Sequence, residues 1–161
     1  MKHFTMYECT YSATARAKGI RNNPSAKIQA NIEESIDNLV DPLREAWGDY
    51  CERNGLGTPG IRISSGYRSP ALNKAIGGVS TSAHCYGYAF DLVPMNGQMM
   101  AFKRFCRDWL ADKAFDQLIS EGENSKGMPS WMHVGYKHPD GVRQRHQFLS
   151  MIKGKYYPMT K

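Results

Sequence analysis

Apolar residues recur at steps of three and four along residues 25–54, which places them on one face of a helix. We therefore predict one long amphipathic helix over this range. The apolar positions are Ile28, Ile32, Ile36, Leu39, Val40, Leu43 and Trp47. Pro42 lies within the pattern, where it predicts either a kink or a helical restart at Asp41. Gly55 then predicts the end of the helix.

The rest of the chain alternates shorter helical patterns with strand patterns. The predicted strands are 61–65, 88–93, 115–121 and 131–136, the last two joined by a polar loop at 122–130. The further predicted helices are 5–18, 70–76, 98–111 and a last one at about 140–152. These elements predict an α+β fold, in which helices pack on a small and mainly antiparallel sheet.

Length and composition describe an ordinary globular protein. The 161 residues fit one domain, 1–161, and the 41% of hydrophobic residues are enough for a core. Four cysteines without a paired spacing predict free thiols that are mostly buried. No apolar run is long enough to span a bilayer, and the first residues do not resemble a signal peptide. We therefore expect cytoplasmic synthesis and no membrane insertion.

The formal net charge of +6 favours an anionic partner. Nucleic acid, an acidic polymer such as the cell wall and a merely solvated surface are all compatible with this charge. The basic residues are spread along the chain, and no helix-turn-helix, zinc-finger or RNA-recognition pattern is present. We therefore predict that nucleic acid is not the partner.

Two histidines and one aspartate are candidates for a metal site. His84 precedes a turn at Gly87, Asp91 lies in a predicted strand, and His133 lies in the middle of another. Two imidazoles and a carboxylate suit zinc, and three protein ligands leave the fourth position for water, as in catalytic zinc sites. From spacing alone, a hydrogen-bonded core histidine near a strand aspartate explains the same residues.

Four segments in order resemble zinc D-alanyl-D-alanine carboxypeptidases and related phage endolysins. Residues 82–91 match the signature S-x-H-x-x-G-x-A-x-D, and residues 65–73 resemble S-G-[YF]-R-[ST]-P-x-L-N. Residues 115–119 and 131–134 also resemble segments of this family. The resemblance runs over nearly the whole chain and implies the fold shared with the hedgehog signalling domain. It places the metal-site core at about 61–136.

The resemblance implies a single zinc ion held by His84, Asp91 and His133. It also implies that Arg68 anchors the substrate and stabilises the developing oxyanion, as a fixed guanidinium with paired donors can. Ser82 is expected to hydrogen-bond the site or the substrate, with a turn-capping role as the alternative. The expected protein is a monomeric zinc metallopeptidase that cleaves peptidoglycan stem peptides or cross-links. A phage lysis enzyme that acts on the cell wall after release is the expected setting.

The general base is where this chain departs from the family. Many relatives carry an acidic residue three positions before the last histidine, but Ser130 occupies that position here. If strands 115–121 and 131–136 pair across their loop, alternation places Glu121 near His133, and we predict Glu121 as the base. Asp116 and Glu123 are the rival candidates.

A zinc-containing module without catalysis is the alternative function. The hedgehog domain shows that this scaffold can keep a metal and serve in binding, and the missing acid at Ser130 favours that hypothesis. The sequence does not select the bond that an enzyme of this kind would cut. Trimming of D-Ala-D-Ala, cleavage of cross-links and cleavage between L-Ala and D-Glu all occur on similar scaffolds.

Overall fold

The computed structural model describes residues 1–161 and shows an α+β fold with one six-stranded sheet, which confirms the predicted fold class. The helices are α1 (Met6–Thr10), α2 (Ala13–Lys18), α3 (Ala26–Ser35), α4 (Asp41–Asn54), α5 (Pro70–Ala75) and α6 (Met99–Leu110). The strands are β1 (Ile61–Ser65), β2 (Ala89–Pro94), β3 (Gln117–Glu121), β4 (Trp131–Gly135), β5 (Gln147–Ile152) and β6 (Lys155–Pro158). None of the helices combines the length and apolarity needed to cross a bilayer.

The long predicted helix forms as α3 and α4, joined without a break by the π-helical turn Ile36–Val40. Ser25 begins it, since its side chain accepts a hydrogen bond from the Ile28 amide. The helix restarts at Asp41, and Pro42 lies in the first turn of α4, where proline is tolerated. Gly55 ends it in the left-handed conformation, with φ of 61°.

The core lies between this helix and one face of the sheet. The apolar stripe of the helix is almost fully buried against α6 and against residues such as Phe90, Leu92 and Val134. Because strand neighbours point to opposite faces, Asp91 lies on the other face of β2. The core thus fixes which sheet face carries the candidate metal ligands. Three of the four cysteines are buried, and all four are free thiols, as predicted.

The strand order is β1-β2-β4-β3-β5-β6, and only the β3–β5 pair is parallel. In the antiparallel β2–β4 pair, Asp91 lies opposite His133. In the antiparallel β3–β4 pair, Ile119 lies opposite His133 and Glu121 opposite Trp131. Register alone therefore brings Asp91, His133 and Glu121 to one region of one face.

The predicted C-terminal helix at 140–152 is wrong. Residues 147–152 form β5, which adds to the edge of β3, and residues 155–158 return as β6. The apolar residues of 147–152 form a short run whose spacing does not distinguish helix from strand. His146 has a φ of 56°, which a right-handed helix does not allow, directly before β5. Pairing with a strand distant in sequence then decides the conformation.

The predicted helix at 5–18 forms as two helices, α1 and α2. Thr5 caps α1, because its side chain accepts a hydrogen bond from the Glu8 amide. Ser12 interrupts the helical run, because its extended backbone and its side chain cap α2 instead. Gly19 ends α2 in the left-handed conformation.

Candidate metal centre

The side chains of His84, Asp91 and His133 meet on the sheet face opposite the helical core. One ligand atom from each lies within 4.8 Å of the others, and all three residues are buried. His84 Nε2 lies 3.3 Å and His133 Nδ1 lies 3.2 Å from the same oxygen, Asp91 Oδ1. The structure thus brings together the three residues that the sequence singled out.

His84 reaches this point from a short 3₁₀ turn, Ala83–Tyr86, which precedes β2. Gly87 follows with φ of 76°, and an added Cβ there would lie 2.8 Å from the Ile32 side chain. The residue at 87 must therefore be glycine both for its conformation and for its close approach to α3.

A backbone carbonyl sets the orientation of the His84 ring. His84 Nδ1 lies 2.8 Å from the carbonyl oxygen of Gly66, so this nitrogen donates and Nε2 carries the free lone pair. An added Cβ at Gly66 would lie 2.2 Å from the Cys9 carbonyl oxygen, so only glycine permits this approach of α1. His84 Nε2 is buried and has no hydrogen-bond partner. An orphaned acceptor aimed at two other ligand atoms is what a metal site requires.

The separations fit one zinc ion. Zinc bonds of about 2.0–2.1 Å in tetrahedral geometry place neighbouring ligand atoms about 3.3 Å apart. The two distances to Asp91 Oδ1, 3.3 and 3.2 Å, match this spacing. The nitrogen and oxygen donors are also those that zinc accepts. The cluster is therefore a fit for a single zinc ion with a coordination position left for a small ligand.

Burial and the shared carboxylate shift the pKa of all three side chains. Burial lowers the pKa of His84, which keeps the imidazole neutral and able to coordinate. Burial alone would raise the pKa of Asp91, but the two imidazoles lower it well below its ordinary range. Burial would likewise lower the pKa of His133, but the hydrogen bond and charge of Asp91 raise it. A raised pKa favours the protonated imidazole of His133, and a divalent ion would displace this proton when it binds.

Arg68 lies at the edge of the cluster. Its Nη2 lies 3.3 Å from Asp91 Oδ2, and its Nε donates to the Ser65 hydroxyl at 3.1 Å. One side of the guanidinium thus holds the second oxygen of Asp91, while the side chain also lines the groove beside the cluster. A substrate-binding role for Arg68 stays a prediction.

Ser82 caps the 3₁₀ turn, because its hydroxyl accepts a hydrogen bond from the His84 amide at 3.3 Å. This contact corresponds to the capping alternative and positions the segment that carries His84. Contact with a substrate stays a prediction for this residue.

Glu121 lies beside the cluster because strands β3 and β4 pair as predicted. Its Oε1 is 3.5 Å from His133 Nδ1, and its Oε2 accepts a hydrogen bond of 3.0 Å from Trp131 Nε1. Burial raises the pKa of Glu121, and the charge of Asp91 adds to this effect. A carboxyl with a raised pKa binds a proton more readily than an ordinary glutamate, which suits a group that accepts and returns protons.

The two rival carboxylates have other partners. Asp116 accepts two hydrogen bonds from the guanidinium of Arg145, at 2.8 and 2.7 Å. Glu123 pairs with the buried Lys103 at 2.9 Å and also accepts a hydrogen bond from Thr160. Of the three candidate carboxylates, Glu121 is therefore the one that the fold places against the cluster.

The pair of Lys103 and Glu123 has a structural role. Lys103 also donates to the Gly127 carbonyl at 2.7 Å and to the Thr160 hydroxyl at 2.6 Å, which ties the 122–130 loop to the C-terminal residues. Burial alone raises the pKa of Glu123, but the hydrogen bonds that it accepts outweigh burial and lower it. Its contribution to stability is therefore present at neutral pH and is lost as pH falls through the lowered pKa.

The substitution Lys103→Met should lower the free energy of unfolding by about 3–5 kcal/mol, because it leaves the Glu123 carboxylate buried without its cation. Urea unfolding at pH 7 measures this change. Lys27→Met, at an exposed position of α3, is the matched control and should change the stability by about 0.5 kcal/mol or less. A loss below about 1 kcal/mol for Lys103→Met would contradict the structural role of this pair.

Two contributors to the site were missed by the sequence analysis. The Trp131 indole donates a hydrogen bond to Glu121, and its place two residues before His133 on one strand was the available signal. The Gly66 carbonyl that orients His84 had no signal, because its partner is 18 residues away across a turn.

A family model described as Peptidase M15 matches residues 2–124, about three quarters of the chain. The matched range contains Arg68, His84, Asp91 and Glu121, while His133 lies beyond it. A zinc D-Ala-D-Ala carboxypeptidase of Streptomyces albus G is 36% identical over 53 residues. Those residues are 33% of this chain and 21% of the relative, so the similarity covers only about a fifth of that protein.

Proposed function

This chain belongs to the peptidase M15 family, and we propose that it is a zinc-dependent enzyme that hydrolyses a peptide bond in peptidoglycan. The observation that carries the proposal is the convergence of two buried imidazoles and a carboxylate on one point, with the unpartnered His84 Nε2 among them. In this proposal His84, Asp91 and His133 hold the ion. A zinc ion held by these residues would lower the pKa of a bound water molecule to about 7 and would polarise a substrate carbonyl.

Glu121 moves the proton in the proposed reaction. Its Oε1, on the side of the carboxylate that faces His133, accepts a proton from the attacking water and returns it to the leaving amine. The hydrogen bond from Trp131 holds the other oxygen, so the carboxylate has one fixed orientation toward the cluster. The position of Glu121 supports this role in a chain whose residue 130 is serine.

Arg68 binds the substrate in the proposal. Its guanidinium is held by Ser65 and Asp91, so it is oriented before substrate arrives. The remaining donors are available to a carboxylate or to the developing oxyanion.

The substrate assignment rests on the relative and on charge. The name of the Streptomyces albus G protein indicates D-Ala-D-Ala as its substrate, a dipeptide that ends peptidoglycan stem peptides. The net charge of +6 favours an anionic wall polymer. The proposal includes both carboxypeptidase and endopeptidase action by one monomeric domain. The resemblance to phage endolysins extends it to a lysis enzyme that acts on the cell wall.

Purified sacculi test the proposal. The zinc-loaded protein should release peptide fragments from Gram-negative sacculi, a chelator should abolish the release, and added zinc should restore it. Mass spectrometry of the fragments identifies the cleaved bond. Intact sacculi together with one tightly bound zinc per chain would contradict the enzyme and would favour a zinc-containing binding module.

A further inference from the structure

A groove of about 840 Å³ begins at the candidate metal centre and follows β1. Asp91, Arg68 and Trp131 line it at the metal centre, and Gly60 and Met95 line its far end. β1 is the outermost strand of the sheet, so the groove lies along a free edge. A peptide bound at the metal centre has this groove as a continuous path.

The register of β1 against β2 determines which side chains lie on the face that carries Asp91. Arg62 lies opposite Val93 and Ser65 lies opposite Asp91, while the register shifts between Ile63 and Ser65. In a regular strand, residues 62 and 65 would point to opposite faces. Arg62 lies opposite Val93 and therefore shares the face that carries Val93 and Asp91, and the bulge brings Ser65 to this face as well.

The register also gives the distance of Arg62 from the metal centre. Val93 is two residues from Asp91 along β2, about 7 Å, and Arg62 is one strand away, about 4.8 Å. The Cα atoms of Arg62 and Asp91 are therefore about 8 Å apart. A side chain at this distance contacts a substrate within one to three residues of the bond at the metal centre.

The guanidinium of Arg62 is exposed and has no carboxylate within ion-pair distance, in contrast to Arg68 and Arg145. The other arginines that line the groove are Arg44 and Arg68, and the ring of His3, which also lines it, contacts Glu45. The groove has two carboxylates, Glu8 and Asp91, and Asp91 belongs to the metal cluster. Arg62 is therefore a cation on the metal face that has no ion-pair partner and can bind an anionic group of a ligand.

We propose that Arg62 determines specificity by binding a free carboxylate of the peptide substrate, next to the bond that lies at the metal centre. This inference rests on the proposed peptidase function and adds a substrate class to it: peptides with an unblocked acidic group one to three residues from that bond. Planar guanidinium–carboxylate pairing with two hydrogen bonds gives the selectivity, and amidation of the carboxylate removes it.

Matched stem pentapeptides test the inference. The two peptides of the first pair differ in the α-carboxylate of D-glutamate, which is free in one and amidated in the other. The two peptides of the second pair differ in the same way in the carboxylate of diaminopimelate that lies outside the peptide backbone. The zinc-loaded protein should prefer the free acid of at least one pair by about tenfold or more in kcat/KM. Arg62→Gln should remove this preference through KM and leave kcat on the amidated peptide within about threefold.

Binding is measured separately from turnover. Calorimetry compares the zinc-loaded Glu121→Gln protein with the double variant that also carries Arg62→Gln. The double variant should bind the free acid about tenfold more weakly, which matches the loss of preference expected in kcat/KM. Arg62→Lys should restore only part of the preference, because a lysine cannot form the paired contact. Arg104→Gln, at an exposed position of α6 outside the groove, should change neither affinity nor preference.

The two proposals fail in different ways. An equal affinity for free and amidated peptides of both pairs, or a preference that Arg62→Gln does not change, would overturn the role of Arg62 even if the peptides are cleaved. Absence of cleavage together with an Arg62-dependent preference in calorimetry would overturn the peptidase and leave the carboxylate site in place.

Discussion

The substitution Glu121→Gln should lower kcat at least about 100-fold while the protein keeps one zinc ion per chain. Glutamine has nearly the same shape and can still contact Trp131, but its amide cannot take a proton from water. The fold and the cluster of His84, Asp91 and His133 should therefore be unchanged. Steady-state cleavage of a peptidoglycan peptide, with zinc content measured by mass spectrometry, gives both readouts.

Glu52→Gln is the matched control for this experiment. Glu52 is exposed near the end of α4 and is far from the cluster in the fold, so its substitution should leave kcat unchanged. If Glu121→Gln cleaves the peptide at nearly the wild-type rate, Glu121 is not the base. The same loss of rate accompanied by loss of zinc would assign Glu121 to metal retention instead.

The substitution Asp91→Asn should weaken zinc binding more than about 100-fold and reduce peptide cleavage to background at stoichiometric zinc. Asp91 Oδ1 is the atom that both imidazole nitrogens approach, and Oδ2 accepts the hydrogen bond from Arg68. The amide has no negative charge to balance a divalent ion, and it leaves the guanidinium without its anion. Competition with a fluorescent chelator measures the affinity for zinc.

Asp112→Asn is the control for the aspartate substitution. Asp112 is exposed after α6 and forms an ion pair with Lys113, so zinc affinity and activity should remain at wild-type values. Wild-type zinc affinity in Asp91→Asn would contradict the proposed ligand set. Added zinc that restores cleavage by Asp91→Asn would show instead that the aspartate affects affinity and not the reaction.

The helices and strands up to about residue 136 follow from local patterns. The apolar stripe of 25–54, the glycine at 55 and the proline at 70 each determine a helix or its end through contacts within a few residues. The strand that carries Asp91 was likewise readable from its apolar residues. Short-range rules suffice there because the interactions that set these elements are themselves short-range.

Long-range pairing decided the C-terminal segment. The apolar spacing of 147–152 is compatible with a helix, and only the free edge of β3 makes it a strand. Similarly, the position of Arg62 on the metal face depends on the register of β1 against β2, which strand patterns alone do not define.

For the candidate metal centre, too, the sequence predicts one part and the tertiary structure decides the rest. The types and order of His84, Asp91 and His133, with the family resemblance around them, are enough to predict the ligand set. Their approach to within 4.8 Å, the orientation of His84 by a carbonyl 18 residues earlier and the contact of Trp131 with Glu121 came only from the folded chain. Residue types and spacing set which chemistry is available, whereas distances between segments remote in sequence depend on strand register and core packing.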